Sequence, residues 1–181
     1  MVIVSLGISV LQAQNLPEGR EWKALKIVKS EFSRKIGLMD AEREQYATTL
    51  SGIAIKQIHD TKASKRSLEQ GRKLMALALH LSPRNKQTVV ANAMLTRGNL
   101  PREVKPEYSK KGFARLLLTR GELLAKQGGA ENEKLARYLI GMAVELDPEN
   151  EDAIYLSEVR RLDHGELDWS QLTDPPVRGD R

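Results

Sequence analysis

The chain has 181 residues, a formal net charge of +5 and no cysteine, which excludes disulfides, thiolate metal sites and cysteine nucleophiles. Aromatic residues make up only 4%, so a core must be built from Leu, Ile, Val, Ala and Met, as helix-on-helix packing does. The length fits one domain with a core worth burying, and no long alternating strand pattern follows residue 12, so an all-α protein is expected.

In chain order, Val2 to Leu11 is an apolar run that is too short to span a bilayer as a helix, for which about 20 residues are needed. It has the length of a secretory h-region, with Ala13 as the small residue before a cut, so residues 1–13 read as a signal peptide. The missing basic residue after Met1 and the large Leu11 depart from that pattern, and a start further upstream would supply the first. The competing reading is a buried element at the domain edge. Export would place the protein in the periplasm, cell envelope or medium; without it the protein is cytoplasmic.

Residues 14–19 form an N-terminal tail, followed by a helical domain over 20–164. From Arg20 to Ile36, Trp22, Leu25, Val28, Phe32 and Ile36 make an apolar stripe that predicts an amphipathic helix closed by Gly37 and docked on its neighbour. Asp40 caps a helix to about His59, with Tyr46, Leu50, Ile53, Ala54 and Ile58 inward. Ser67 and Gln70 form a capping-box pattern at the start of a helix over 66–81. Lys86 to Gly98 is a helix with Val89, Val90, Ala93 and Met94 apolar. Pro101 and Pro106 frame an irregular segment, and one long helix from about Glu107 to Gln127 is preferred over a short helix at 102–112. A helix over 131–146 and a capping helix over Glu149 to Asp163 follow, the latter packing through Ala153, Leu156 and Leu162. Residues 165–181 are a tail or linker in which Trp169 folds back on the cap; its Arg178-Gly179-Asp180 triplet is a chance match on a frayed end.

Two stretches repeat. A shift of 65 superposes Arg72, Leu74, Ala78, Leu81, Pro83 and Asn85 on Arg137, Leu139, Ala143, Leu146, Pro148 and Asn150. The pattern A-x-x-x-apolar-x-x-A-x-x-L-x-P-x-N resembles the second helix and closing turn of the tetratricopeptide repeat (TPR), which recurs every ~34 residues. Leu117, Gly121, Leu124 and Gly128 match the spacing of that family's first helix, and the match then slips by about three residues in the stretch from Gly128 to Lys134. The resemblance implies an α-α superhelix of antiparallel hairpins with a C-terminal cap, acting as a scaffold that binds a peptide or partner segment in a concave groove.

In the family, first helices line that groove. The resemblance therefore implies a site of Val90, Met94, Arg97, Arg115, Leu118, Glu122, Lys126, Asp152 and Tyr155, in which Arg97, Arg115 and Lys126 grip an acidic partner. Charge is unevenly spread: residues 1–55 carry +1, residues 56–120 carry +11 and residues 121–181 carry −7, which points to a charged partner or to head-to-tail self-association. The basic block holds only Tyr108 and Phe113 as aromatics, which argues against a single-strand nucleic-acid binder. His59, His80 and His164 stand apart, without paired-ligand spacing, and no phosphate-binding glycine loop is present. The reading is of a non-enzymatic protein with no cofactor; its alternatives are a structural spacer in a larger envelope protein and a basic polyanion binder.

Overall fold

The computed structural model describes residues 14–27 and 29–175. Seven helices occupy them: α1 (Asp40–Asp60), α2 (Lys65–Leu81), α3 (Lys86–Thr96), α4 (Lys110–Gln127), α5 (Ala130–Leu146), α6 (Glu151–His164) and the single turn α7 (Ser170–Thr173). The expected all-α class is the observed one; among the described residues the one strand-like feature is an isolated bridge between Asn15 and Asn99. None of the described helices is long and apolar enough to cross a membrane. The signal-peptide reading of residues 1–13 and the Arg178-Gly179-Asp180 triplet lie outside the described residues.

The helices from α1 to α3 and from α4 to α6 are two copies of one unit. Adding 65 to both bounds of α2 gives those of α5, and adding 65 to the start of α3 gives that of α6. The turns agree in detail. Ser82 and Asp147 leave their helices with φ of −137° at both and ψ of 92° and 80°, donating their N–H groups to Ala78 and Ala143 carbonyls. Asn85 and Asn150 then cap the next helices by accepting the N–H of Thr88 and Ala153. The first helices match at an offset of 67, placing the buried Tyr46, Ala47, Leu50 and Ala54 of α1 on Phe113, Ala114, Leu117 and Gly121 of α4. The offsets differ because 61–64 connects α1 to α2, whereas Gly128 and Gly129 alone connect α4 to α5. The helix expected over 131–146 is α5, which begins one residue earlier at Ala130.

Within each unit the first two helices pack on each other along their lengths. In the second unit they approach over Gly121, where an added Cβ would stand 2.7 Å from Ile140 Cγ1 and 3.1 Å from the Ala136 carbonyl oxygen. The units share one core. Tyr46 of α1 meets Phe113 of α4 edge-on at 5.7 Å, and Phe32 wedges between His80 of α2 (6.1 Å) and Tyr138 of α5 (5.9 Å).

The amphipathic helix expected over Arg20 to Ile36 is not there. The chain crosses α2, α3 and α5 as a non-helical strap that buries Trp22, Leu25, Phe32 and Ile36. Its backbone is satisfied by side chains from the helices below. Asn92 accepts from Trp22 Nε1 (2.9 Å) and the Leu25 N–H (3.2 Å) and donates to the Leu25 carbonyl. His80 Nδ1 accepts from the Glu31 N–H, and Glu131 and Asn132 accept from the Ser33 and Gly37 N–H groups. Gly37 therefore closes no helix; its carbonyl accepts from Arg120.

Other local expectations are corrected. Met39, not Asp40, precedes α1, and no side chain caps that helix. Ser64, not Ser67, caps α2 by accepting the Ser67 N–H. The α3 face with Val89, Val90, Ala93 and Met94 is turned outward, Val89 and Val90 being 44% and 48% exposed, while Thr88, Ala91 and Leu95 face inward. Asn92 and Thr88 make the physical reason clear: the strap and the Asn85 cap claim this polar face as the covered one. The helix after the prolines begins at Lys110, capped by Ser109, rather than at Glu107. Leu162 of α6, expected to pack on the preceding hairpin, is 75% exposed.

The stretch after α6 is no free tail as far as Pro175. Leu167 lies on Gly141, Trp169 meets Tyr138 of α5 at 5.2 Å rather than resting on α6, and Leu172 is fully buried. Arg72 of α2 clamps it, donating to both carboxylate oxygens of Asp174 (2.8 and 2.9 Å), to the Thr173 carbonyl and to the Lys23 carbonyl of the first strap. The N-terminal residues are likewise tied: Leu100 donates to the Gln14 carbonyl and Leu16 to the Gly98 carbonyl, both at 2.7 Å.

Candidate functional site

Two grooves hold most of the expected site residues. The larger, about 760 Å³, runs between α4 and α6 and is closed at one end by the turn from α5 to α6. Arg115, Leu118 and Glu122 line it from α4 and Asp152 and Tyr155 from α6, so five of the nine expected site residues share one groove. Lys111, Thr119, Asp147, Glu149, Asn150 and Leu156, which sequence reasoning did not assign, complete it. The smaller groove, about 480 Å³, lies between α1 and α3 and takes in Val90 and Met94. Arg97 and Lys126 line neither, so the three cations expected to converge on an acidic partner do not meet.

The offsets that relate the units also relate the grooves. Glu44, Thr48 and Ile55 of the first become Lys111, Arg115 and Glu122 of the second after adding 67. Asn85, Gln87, Val90 and Ala91 become Asn150, Asp152, Tyr155 and Leu156 after adding 65. They are one groove made twice, with different contents. In the first, Ser82 and Asn85 donate to the Glu44 carboxylate and Asn85 also to Thr48 Oγ1, so the turn is tied to α1 by neutral donors. In the second, Lys111 replaces Glu44 and pairs with Glu149 at 2.8 Å, leaving its Nζ 3.8 Å from Asp147.

The first groove is mainly apolar and is bounded by the connection from α3 to α4, through Pro101, Arg102 and Val104. The second is charged and open. Its Leu118 is nearly buried, Tyr155 is 67% exposed, and Arg115, Glu122 and Asp152 form no ion pair among the described residues. Asp147 is 6% exposed, yet its Oδ1 has no hydrogen-bond partner. The Lys111–Glu149 pair raises the lysine pKa and lowers that of the glutamate, first through their hydrogen bond, so both stay ionised at neutral pH.

Much of the sequence's charge asymmetry is consumed inside the fold. Lys73 pairs with Glu145, Arg72 with Asp174 and Arg120 with Glu42, each joining the basic middle of the chain to an acidic residue elsewhere. No family model, no curated protein and no solved structure matches the chain.

Proposed function

We propose that the chain is a non-enzymatic, TPR-like assembly scaffold that holds a segment of a partner protein in the groove between α4 and α6. One observation carries this reading: preorganised helices present unpaired charges on Arg115, Glu122 and Asp152 beside Leu118 and the exposed ring of Tyr155 in a single concavity. Such a surface offers charge-assisted hydrogen bonds around an apolar anchor, with little ordering cost on the scaffold side. The repeated hairpins and the matching small residues at their approaches support the family resemblance.

The test is site-specific. A photo-crosslinking amino acid at the exposed Thr119, which lines the groove, should give a discrete adduct in the native host whose yield changes in an Arg115→Glu background and which disappears in a Tyr155→Ala background. The same label at the exposed Lys62 should not give it. Adducts indifferent to these substitutions would sink the groove.

A spacer with no ligand is the second reading, favoured by the separation of Arg97, Arg115 and Lys126 and by the internal pairing of charge. Export rests on residues 1–13; recovery outside the cytoplasm with those residues lost would support it, and an intact cytoplasmic chain would end it.

A further inference from the structure

The chain itself supplies a ligand-like segment for the first groove. Between α3 and α4, Leu100 to Tyr108 contain neither helix nor strand. Their contacts descend α1 from its C-terminal end: the Pro101 carbonyl lies 2.7 Å from His59 Nε2, Glu103 3.8 Å from Lys56 Nζ, Pro106 against Gly52, and Tyr108 Oη 3.3 Å from Gln45 Nε2. His59 to Gln45 is about 21 Å of helix at 1.5 Å per residue. Pro101 to Tyr108 can span only about 25 Å when fully extended. The segment therefore runs antiparallel to α1 without helix or strand, with Pro101 and Val104 against a groove that presents Ile55, Val90 and Met94.

The equivalent track on α4 carries Lys126, Leu123, Thr119 and Gly112 in place of His59, Lys56, Gly52 and Gln45, and none of the described residues of the chain follows it. Its groove is acidic at three positions where the first unit is uncharged: Glu122 stands for Ile55, Asp152 for Gln87 and Asp147 for Ser82. The groove sets the carboxylates of Glu122, Asp147, Glu149 and Asp152 against two cations, Lys111 and Arg115, and Lys111 lies 2.8 Å from Glu149 but 3.8 Å from Asp147. The buried Asp147 Oδ1 has Lys111 only as a charge 3.8 Å away and accepts no hydrogen bond, so a closer donor would relieve a desolvated carboxylate oxygen. These carboxylates are spread along the groove, and among the described residues no three metal-ligating side chains are grouped to hold one ion. A cation presented on a chain fits them better.

Resting on the groove reading above, we infer that the α4/α6 groove takes a non-helical, basic segment of a partner protein, running antiparallel to α4 as Pro101 to Tyr108 runs along α1, with a lysine or arginine directed at Asp147. Lys126, in the place of His59, would then donate to a backbone carbonyl near the start of that segment. The expected partner is the opposite in charge of the one implied by the family resemblance.

The experiment uses the full chain and three labelled ten-residue peptides of proline alternating with lysine, glutamate or serine, all acetylated and amidated. The lysine peptide should bind at least about tenfold more tightly than the others, weakening as salt is raised. Asp147→Asn and the surface pair Glu122→Gln with Asp152→Asn should each reduce its affinity about tenfold or more while helical ellipticity is unchanged. A nitroxide on the peptide N-terminus should broaden amide resonances near Lys126, and one on the C-terminus those near Lys111. Preference for the glutamate peptide, with broadening confined to α4 and α6, would overturn the basic partner and leave the groove reading standing. The reverse pattern of broadening would overturn the direction. No groove perturbation by any peptide, together with loss of the site-dependent adduct from Thr119, would remove both readings. Salt-sensitive dimerisation abolished by the Glu122 and Asp152 substitutions would assign the groove to a second copy instead.

Discussion

His80 joins three parts of the chain through one ring. Its Nδ1 accepts the Glu31 N–H and its Nε2, 3.0 Å from the Leu172 carbonyl, must then carry the proton and donate. Only the neutral ring satisfies both bonds. Burial pushes its pKa below the usual value; the Leu172 bond and the Glu31 carboxylate oppose that shift and Lys134 adds to it. A histidine with a depressed folded pKa stabilises the fold above its unfolded pKa, and that contribution is lost as pH falls from about 6.5 toward the folded value. The melting temperature should therefore fall between pH 7 and pH 5, and His80→Gln should flatten that fall. An unchanged slope would mean the ring is not titrating out of the fold. Asn92 is a second residue of this kind, since it answers an indole and both polar backbone groups of Leu25. Asn92→Ala should cost about 1–3 kcal/mol, by leaving buried groups unsatisfied, and should accelerate amide exchange at Leu25 before it affects α3.

Among elements, the α4/α5 hairpin is the most sensitive to added volume. Gly121→Leu would drive a side chain into Ile140 and the Ala136 carbonyl, and should lower stability by about 1–3 kcal/mol in a denaturant titration. A neutral outcome would mean that the hairpin separates at little cost. The hairpins were legible in sequence because Ala and Leu recur at helical spacing and then stop at Ser-Pro or Asp-Pro, a local signal that tertiary context does not reverse. The strap was not legible. Trp22, Leu25, Phe32 and Ile36 recur as a helix stripe would, but recurrence says only which side chains turn inward; the partners that hold their backbone extended, Asn92, His80 and Asn132, lie 67, 49 and 95 residues away. For the same reason the covered face of α3 was not legible, being chosen by polar service to that strap. Of the α4/α6 groove, Arg115, Leu118, Glu122, Asp152 and Tyr155 were named from the family pattern, whereas Lys111, Thr119 and Leu156 on the same helices were not. Asp147 and Glu149 were not named either, although their place in the repeated turn, opposite Ser82 and Arg84, was visible as a change from uncharged or basic to acidic.

At the scale of the molecule, the basic and acidic blocks of the chain face each other across the units, through Lys73 with Glu145 and Arg72 with Asp174. Arg72 holds the Asp174 carboxyl well below its ordinary pKa, so this clamp stays charged to strongly acid pH. Raising salt should have little effect on the melting temperature, because partly buried pairs of this kind are screened weakly and exposed ones contribute little. Binding in the groove should respond to salt far more, and Tyr155→Ala should weaken it while leaving the melt unchanged, since that ring packs on little of the fold. The straps have one more consequence. The chain contains two tryptophans, and each lies on a strap: Trp22 on the first, Trp169 on the last. Indole emission therefore watches the straps, while far-ultraviolet ellipticity watches the helices beneath them. If the straps peel away as a separate layer, the two signals will trace different denaturation curves, emission shifting first, and the protein will unfold in two steps instead of one cooperative transition.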